Sequence, residues 1–322
     1  MLTIWTNASL PEQEIAQLRQ GVGKHRLIFA SNLNSLNLSI GEVDPSLAEA
    51  DIAFGQPLPE QVWSVSKLRW VHLTTAGYTS YDRKDFRTEM NARGASVTTS
   101  SGVYDEPCAQ HLLAMMMAFA RQLPQSLDTQ RTDRGWPAAQ RRSQSFLLEG
   151  QTAVLVGFGE IAKRLCELLA PLHMKLVGVR RAPQGDEPIT MLRQARIVEA
   201  IAKADHVINM LPSNDSTERL FRHELFQAMK PGSYFYNIGR GATVDQAALL
   251  QALQSHHIAG AYLDVMTPEP LPFDSPLWIE PNCYITPHSA GGFRQEMSRL
   301  VEHFLTNLRR FEANETLLNR VI

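Results

Sequence analysis

Three residues of this 322-residue chain have the types and the setting for proton and charge chemistry: Arg240, Glu269 and His288. Each stands just beyond a short apolar run that reads as a β-strand. The run ending at Ile238 delivers Gly239, Arg240 and Gly241. The next ends in Leu263, Asp264 and Val265 and leads to Glu269 among prolines, and the last leads to Pro287, His288 and Ser289. A guanidinium is a planar fork that matches a carboxylate, and flanking glycines leave room for a ligand beside it. An imidazole next to a carboxylate has its charged form stabilised. Reduction of a carbonyl by hydride transfer builds negative charge on oxygen, so it calls for a cation and a proton donor side by side. Taken singly, Arg240 also fits a surface arginine, His288 a packed histidine and Glu269 a rigid proline-rich loop.

A second constellation lies upstream. Gly157, Phe158, Gly159, Glu160, Ile161 and Ala162 follow one strand pattern, Thr152 to Val156, and open a helix. Gly157 permits a tight turn, Gly159 lets a pyrophosphate approach the backbone, and the small Ala162 allows close helix packing, while the helix start supplies amide donors. The alternative is a tight strand-to-helix junction that simply needs small residues. A ribose-reading residue should follow at the end of the next strand. There the chain has Arg180 and Arg181, with no acid before Asp186. An acid at this place bonds both ribose hydroxyls and repels a 2′-phosphate, whereas a guanidinium does the reverse. NADP(H) is therefore favoured and NAD(H) remains possible, unless both arginines are merely solvated at a strand end.

These residues need a frame, and the pattern of the chain supplies one. Short β-rich runs at 2–6, 26–30, 51–55, 70–74 and 96–99 alternate with helical stretches, and a second series begins at Gln151 with runs at 152–156, 175–179, 206–210, 233–238, 260–265 and 282–286. Strand, helix, strand in repetition means a parallel sheet. Ser9 is placed to cap the first helix and Asp245 the one over 246–255. Residues 105–123 read as one long helix, apolar nearly all round, and 124–150 as a polar, Arg-rich surface excursion around Trp136. After Pro287 a last helix over 292–311 carries Met297, Leu300, Val301, Phe304 and Leu308 at spacings of three and four, a stripe that needs a partner in the amino-terminal domain.

Length and composition bound the rest. At about 100 to 200 residues per domain the chain holds two domains. With 31 Lys plus Arg against 33 Asp plus Glu it lacks the basic excess of a nucleic-acid binder. Its most apolar window, Leu112 to Ala120, is too short to span a bilayer, and the amino terminus has no secretory pattern. Cys108, Cys166 and Cys283 are far apart, form no metal-ligand spacing and suit a reducing cytoplasm.

From about Trp70 to Gly292 the sequence resembles the D-isomer-specific 2-hydroxyacid dehydrogenase family. The resemblance rests on VGFGEIAKRL, MKPGSYFYNIGRGATVDQAALLQAL, HIAGAYLDVMTPEPLP and NCYITPHSAGG. It implies an α/β fold of two doubly wound parallel-sheet domains: a Rossmann NAD(P)-binding domain over 101–290, inserted into a flavodoxin-like substrate domain over 1–100 plus 291–322, with a cleft between. It implies that His288 protonates the carbonyl oxygen, that Glu269 holds and charges that imidazole, and that Arg240 binds the substrate carboxylate and carbonyl. Backbone amides of Ala76 and Gly77 would meet the same carboxylate. Asp264 would bond the nicotinamide carboxamide, Leu211 and Pro212 would border the adenosine half, and Glu160, Ile161, Ile238 and Ala290 would complete the cofactor's surroundings. A homodimer built around the long helix and the Trp136 excursion is also implied.

The chain departs from the common pattern at Ala162, where many members have a third glycine, at Ile238-Gly239, which replaces Thr-Ala, and at Thr267, which replaces an acid. Arg180 in place of an NAD-reading acid makes it similar to the NADPH-linked glyoxylate and hydroxypyruvate reductase branch. Two other readings stand beside this one: an NAD-linked enzyme such as a 3-phosphoglycerate dehydrogenase, and a dinucleotide-sensing binding protein like the family's corepressor relatives.

Overall fold

Parallel strands cannot be joined by tight turns, so each strand of this chain is followed by a crossover that returns the backbone to the same starting edge. The computed structural model describes residues 1–34 and 39–322. The chain separates into two units, 1–104 with 292–322 and 105–291. The first holds β1 (Thr3–Ala8), β2 (Arg26–Asn34), β3 (Ile52–Gly55), β4 (Trp70–Leu73) and β5 (Ser96–Thr98). All pair in parallel, in the order β2-β1-β3-β4-β5, the flavodoxin-like order. The second holds β6 (Thr152–Val156), β7 (Lys175–Arg180), β8 (Thr190–Arg193), β9 (His206–Asn209), β10 (Tyr234–Asn237), β11 (Gly260–Leu263) and β12 (Cys283–Ile285). Their order, β12-β11-β10-β9-β6-β7-β8, is parallel throughout and reverses direction between β6 and β9. The α/β class with two doubly wound sheets is therefore as expected.

In the first unit β3 and β4 are buried on both faces, which is why they read as unbroken apolar runs. The closing helix begins at Glu296 rather than 292 and runs to Glu312; it buries Leu300, Val301, Phe304 and Leu308 of the expected stripe, while Met297 is only half-buried. Phe304 stacks on Phe54 of β3 at 4.4 Å and on Trp70 of β4 at 5.4 Å between ring centroids. Beside it runs the helix Glu12–Val22. That helix has both acids, Glu12 and Glu14, in its first turn, but its N-cap is Pro11 and no side chain caps it, so Ser9 lies outside the role assigned to it. The edge of β5 is covered by the chain end, where Val321 donates to the carbonyl of Val97 and Val97 to that of Ile322.

Three further expectations are corrected. The sheet of the second unit has seven strands rather than six: β8 was not read because its TMLR segment is short and half exposed at the sheet edge, so it lacks the apolar run of a central strand. The long helix spans Ser101–Ala120, not 105–123. It stops because Gln122 takes a left-handed φ of 55° and Pro124 opens the next helix, Leu123–Arg131, at a first-turn position that needs no amide hydrogen. The excursion is thus partly helical, with a second short helix over Ala138–Gln144, and Trp136 between them is 92% exposed. Among the described residues no helix is long and apolar enough to cross a membrane.

Replacing Phe304 by Ala removes the ring that bridges β3 and β4. It should lower the stability of the first unit by about 3–5 kcal/mol, measured by urea denaturation; a loss below about 1 kcal/mol would contradict this account of the core.

Candidate active site

The strand order reverses between β6 and β9, and the carboxyl ends at such a switch point are where doubly wound sheets take ligands. The loop after β6 lies at this switch point. Gly157 has φ of 93°, and a Cβ there would press on the backbone of Met210 and Leu211 at 3.0–3.2 Å, so glycine is required by both torsion and space. Gly159 is different: a Cβ on it would meet nothing within 4 Å. It is the N-cap of the helix Glu160–Leu169 and offers no side chain to its amides. The first intrahelical bond is donated by Lys163 to Gly159 O, which leaves the Glu160, Ile161 and Ala162 amides without a backbone partner among the described residues. Ala162 is fully buried, in keeping with the close packing that its small size allows. Unpaired helix-start amides beside the open space at Gly159 are a fit for a pyrophosphate.

At the end of β7 the structure adds a partner that the sequence reading did not supply. Arg180 Nη1 lies 3.1 Å from Oε1 of Glu187, which folds back from the following loop. Arg181 is exposed.

The loops after β9 and β10 are held by buried amides. Asn209 Nδ2 donates to Asn237 Oδ1 at 3.0 Å and to Thr243 Oγ1 at 2.7 Å, while Leu211 N donates to Asn209 Oδ1. Asn237 Oδ1 also accepts from Gly239 N, and Thr243 Oγ1 donates to the Arg240 carbonyl at 2.7 Å. These contacts fix the backbone on both sides of Arg240. They also buttress Leu211, which is buried, while Pro212 is exposed; Ile238 is buried after β10 and Ala290 after β12. The glycines flanking Arg240 serve a purpose other than the one expected. A Cβ on Gly239 would meet the Leu211 backbone at 2.5 Å and one on Gly241 the Met266 carbonyl at 2.0 Å, so they allow backbone contact rather than ligand room. Burial pulls the Arg240 guanidinium below its usual range, and the charge of nearby Glu269 works against that. It bonds the Gly239 carbonyl through Nη1.

Glu269 and His288 meet directly, Oε2 to Nδ1 at 2.8 Å, with both side chains 35% exposed. Glu269 Oε1 accepts from Met266 N at 2.9 Å, which locks the carboxylate. Burial pushes this carboxyl up, but the bonds from His288 and Met266 N and the charges of His288 and Arg240 outweigh it and hold the group below the ordinary range. An ionised carboxylate can only accept, so His288 Nδ1 carries the hydrogen and Nε2 is the nitrogen left to face a ligand. His288 itself sits at φ of 50°, a left-handed conformation kept by its amide donating to Asp264 O at 2.8 Å. Asp264 is the keystone of this turn: its carboxylate accepts from Ser289 N, Ala290 N and the Thr286 hydroxyl. A carboxamide NH2 donating to Asp264 would have to share its carboxylate oxygens with those three donors.

In the first unit the loop after β4 is clamped through its oxygens. Tyr104 donates its hydroxyl to Thr74 O, Ser100 N donates to Thr75 O, and Thr75 Oγ1 donates to Gly77 O. Gln56, buried at the end of β3, donates through Nε2 to both the Thr74 and Thr75 hydroxyls and is itself fixed by Asn7. Among the described residues the amides of Ala76 and Gly77 make no bond to the protein. Sequence reasoning missed Asn209, Asn237, Thr243, Gln56 and Glu187; a polar residue closing an apolar strand, as in HVIN and YFYN, is the only local signal for the two asparagines.

Because its folded-state pKa is depressed, the Glu269 carboxylate contributes stability above its unfolded value near 4.3 and loses it as pH falls through the lower folded value. A carboxyl carbon NMR titration should place the Glu269 midpoint below about 4.3, and a midpoint above that value would remove the charge assignment just made.

A model of the D-isomer specific 2-hydroxyacid dehydrogenase NAD binding domain matches residues 113–290. A glyoxylate reductase of Korarchaeum cryptofilum is 30% identical over 271 residues, covering 82% of this chain and 80% of the relative. Glyoxylate/hydroxypyruvate reductase B of Escherichia fergusonii is 30% identical over 272 residues, covering 84% and 78%. The crystal structure of a D-isomer specific 2-hydroxyacid dehydrogenase from Xanthobacter autotrophicus, in complex with NADPH and MES, is 25% identical, superposes with a TM-score of 0.82 and covers 100% of this chain and 98% of that one. The chain belongs to the D-isomer-specific 2-hydroxyacid dehydrogenase family, oxidoreductases that use a nicotinamide dinucleotide and act on CH–OH donors.

Proposed function

We propose that the protein reduces small 2-oxo acids of the glyoxylate and hydroxypyruvate type to D-2-hydroxy acids, with NADPH as the favoured donor. The observation that carries this reading is the His288–Glu269 pair at 2.8 Å in the same unit as the open, amide-lined glycine loop. The bound dinucleotide supplies the hydride. His288 donates the proton from Nε2 to the carbonyl oxygen, and Glu269 holds the ring through Nδ1 and balances its charge. Arg240 pairs with the substrate carboxylate and offsets the negative charge that develops on oxygen. Ala76 and Gly77 give their amides to that carboxylate. In this assignment residues 101–290 form the dinucleotide domain and 1–100 with 291–322 the substrate domain. The names of the glyoxylate reductase relatives support the substrate class, and the NADPH-bound Xanthobacter structure supports the cofactor class. One observation favours NADH as a second donor: Glu187 places a carboxylate on Arg180.

Replacing His288 by Ala should lower kcat for NADPH oxidation with glyoxylate or hydroxypyruvate by about 10²–10⁴-fold, while NADPH affinity followed by fluorescence stays within twofold. Wild-type turnover in that variant would end the proposed mechanism.

The working unit we infer is a cytoplasmic homodimer, with Leu123, Leu127 and Trp136, all exposed on the excursion, as its apolar contact. Sedimentation at micromolar concentration should give twice the chain mass, and Trp136→Ala should shift the balance towards single chains. A monomeric wild type would refute the assembly.

A further inference from the structure

Arg180 closes β7, and the end of that strand is where a doubly wound sheet meets the adenosine ribose of a bound dinucleotide. Its guanidinium is already engaged: Nη1 donates to Glu187 Oε1 at 3.1 Å and to Gln184 Oε1 at 3.3 Å. Glu187 is no wandering surface acid. Its side chain is 3% exposed, Oε1 accepts from Gln184 N and Oε2 from Gly185 N, each at 2.8 Å. Gly185 has φ of 91°, which turns the loop back so that its own amides grip the carboxylate. Those backbone bonds hold the Glu187 carboxyl below the usual range, so it is anionic at neutral pH. The other charges of this corner are Arg181 and Asp186, both exposed, and Arg193, the register partner of Arg180 on β8.

The arrangement is a fixed anion tied to the arginine that a 2′-phosphate would need. A phosphate monoester carries about −1.5 to −2 charges at pH 7, so it gains from Arg180 and loses to Glu187. Ribose hydroxyls are neutral, and the ion pair costs them little. We propose that Glu187 sets the cofactor selectivity of this enzyme: it neutralises Arg180 and repels a 2′-phosphate, which holds the NADPH preference down and keeps NADH usable. The inference rests on the dinucleotide reading above. It also makes Glu187 a selectivity residue that acts through Arg180 rather than by contact with the reacting atoms.

The test uses cofactor fragments and needs no turnover. Dissociation constants of 2′,5′-ADP and ADP are measured by titration calorimetry on the wild-type protein and on Arg180→Ala, Glu187→Gln and Glu187→Met. Arg180→Ala should weaken 2′,5′-ADP at least tenfold with ADP within twofold. Glu187→Gln should tighten 2′,5′-ADP about tenfold with ADP again within twofold, and kcat/KM for NADPH over NADH should rise by a similar factor. Glu187→Met, close in size and uncharged, repeats the measurement if the glutamine amide opposes Gly185 N and loosens the loop. No tightening of 2′,5′-ADP in either Glu187 variant overturns the proposal. Failure of the wild type to bind both fragments would instead sink the dinucleotide reading, a result distinguishable from the first.

Discussion

Within each sheet every strand runs the same way, and this single constraint places the candidate site residues. A parallel ladder sends each carboxyl end to one edge of the sheet, so the residues that follow β6, β7, β9, β10, β11 and β12 share an edge although they are spread over more than a hundred positions of sequence. Arg240, Glu269 and His288 come from three successive strand ends, and the glycine loop and Arg180 from two more. The helices that make the crossovers also pay in amides: the one that begins at Glu160 leaves its first-turn donors pointing at the same edge.

What the sheet places, hydrogen bonds then aim. Asp264 turns a strand end into a mount for His288 by taking two amides and a hydroxyl, and Asn237 with Thr243 does the same for Arg240. In the first unit Gln56 and Asn7 sit at the switch point between β1 and β3 and anchor the loop that carries Ala76 and Gly77. Such buried polar groups are costly unless satisfied, and here each is satisfied by backbone or by another of the set. The site is therefore rigid by construction in each unit.

The sheets were legible because central parallel strands are buried on both faces and read as apolar runs, and the His288–Glu269 pair was legible because a histidine and a carboxylate at successive strand ends are brought to one edge of a parallel sheet. Elements whose role is relational were not. β8 shows no apolar run because it lies at an edge. Asn209 and Thr243 are unremarkable until the fold brings them 2.7 Å apart. Glu187 is one more acid in a polar loop until its carboxylate is seen on Arg180. The glycines around Arg240 were visible, but the reason for them was not, since only the fold shows which backbone they touch.

That last contact joins Arg240 to the His288–Glu269 pair. Gly241 follows Arg240 and lies against the carbonyl of Met266, the same residue whose amide hydrogen fixes Glu269. Any side chain at 241 would push Met266 aside and, through it, release the carboxylate that steadies His288. Arg240 and the His288–Glu269 pair are thus geared together by a residue with no functional group at all, so that a single-methyl change two strand ends away from His288 reaches it mechanically.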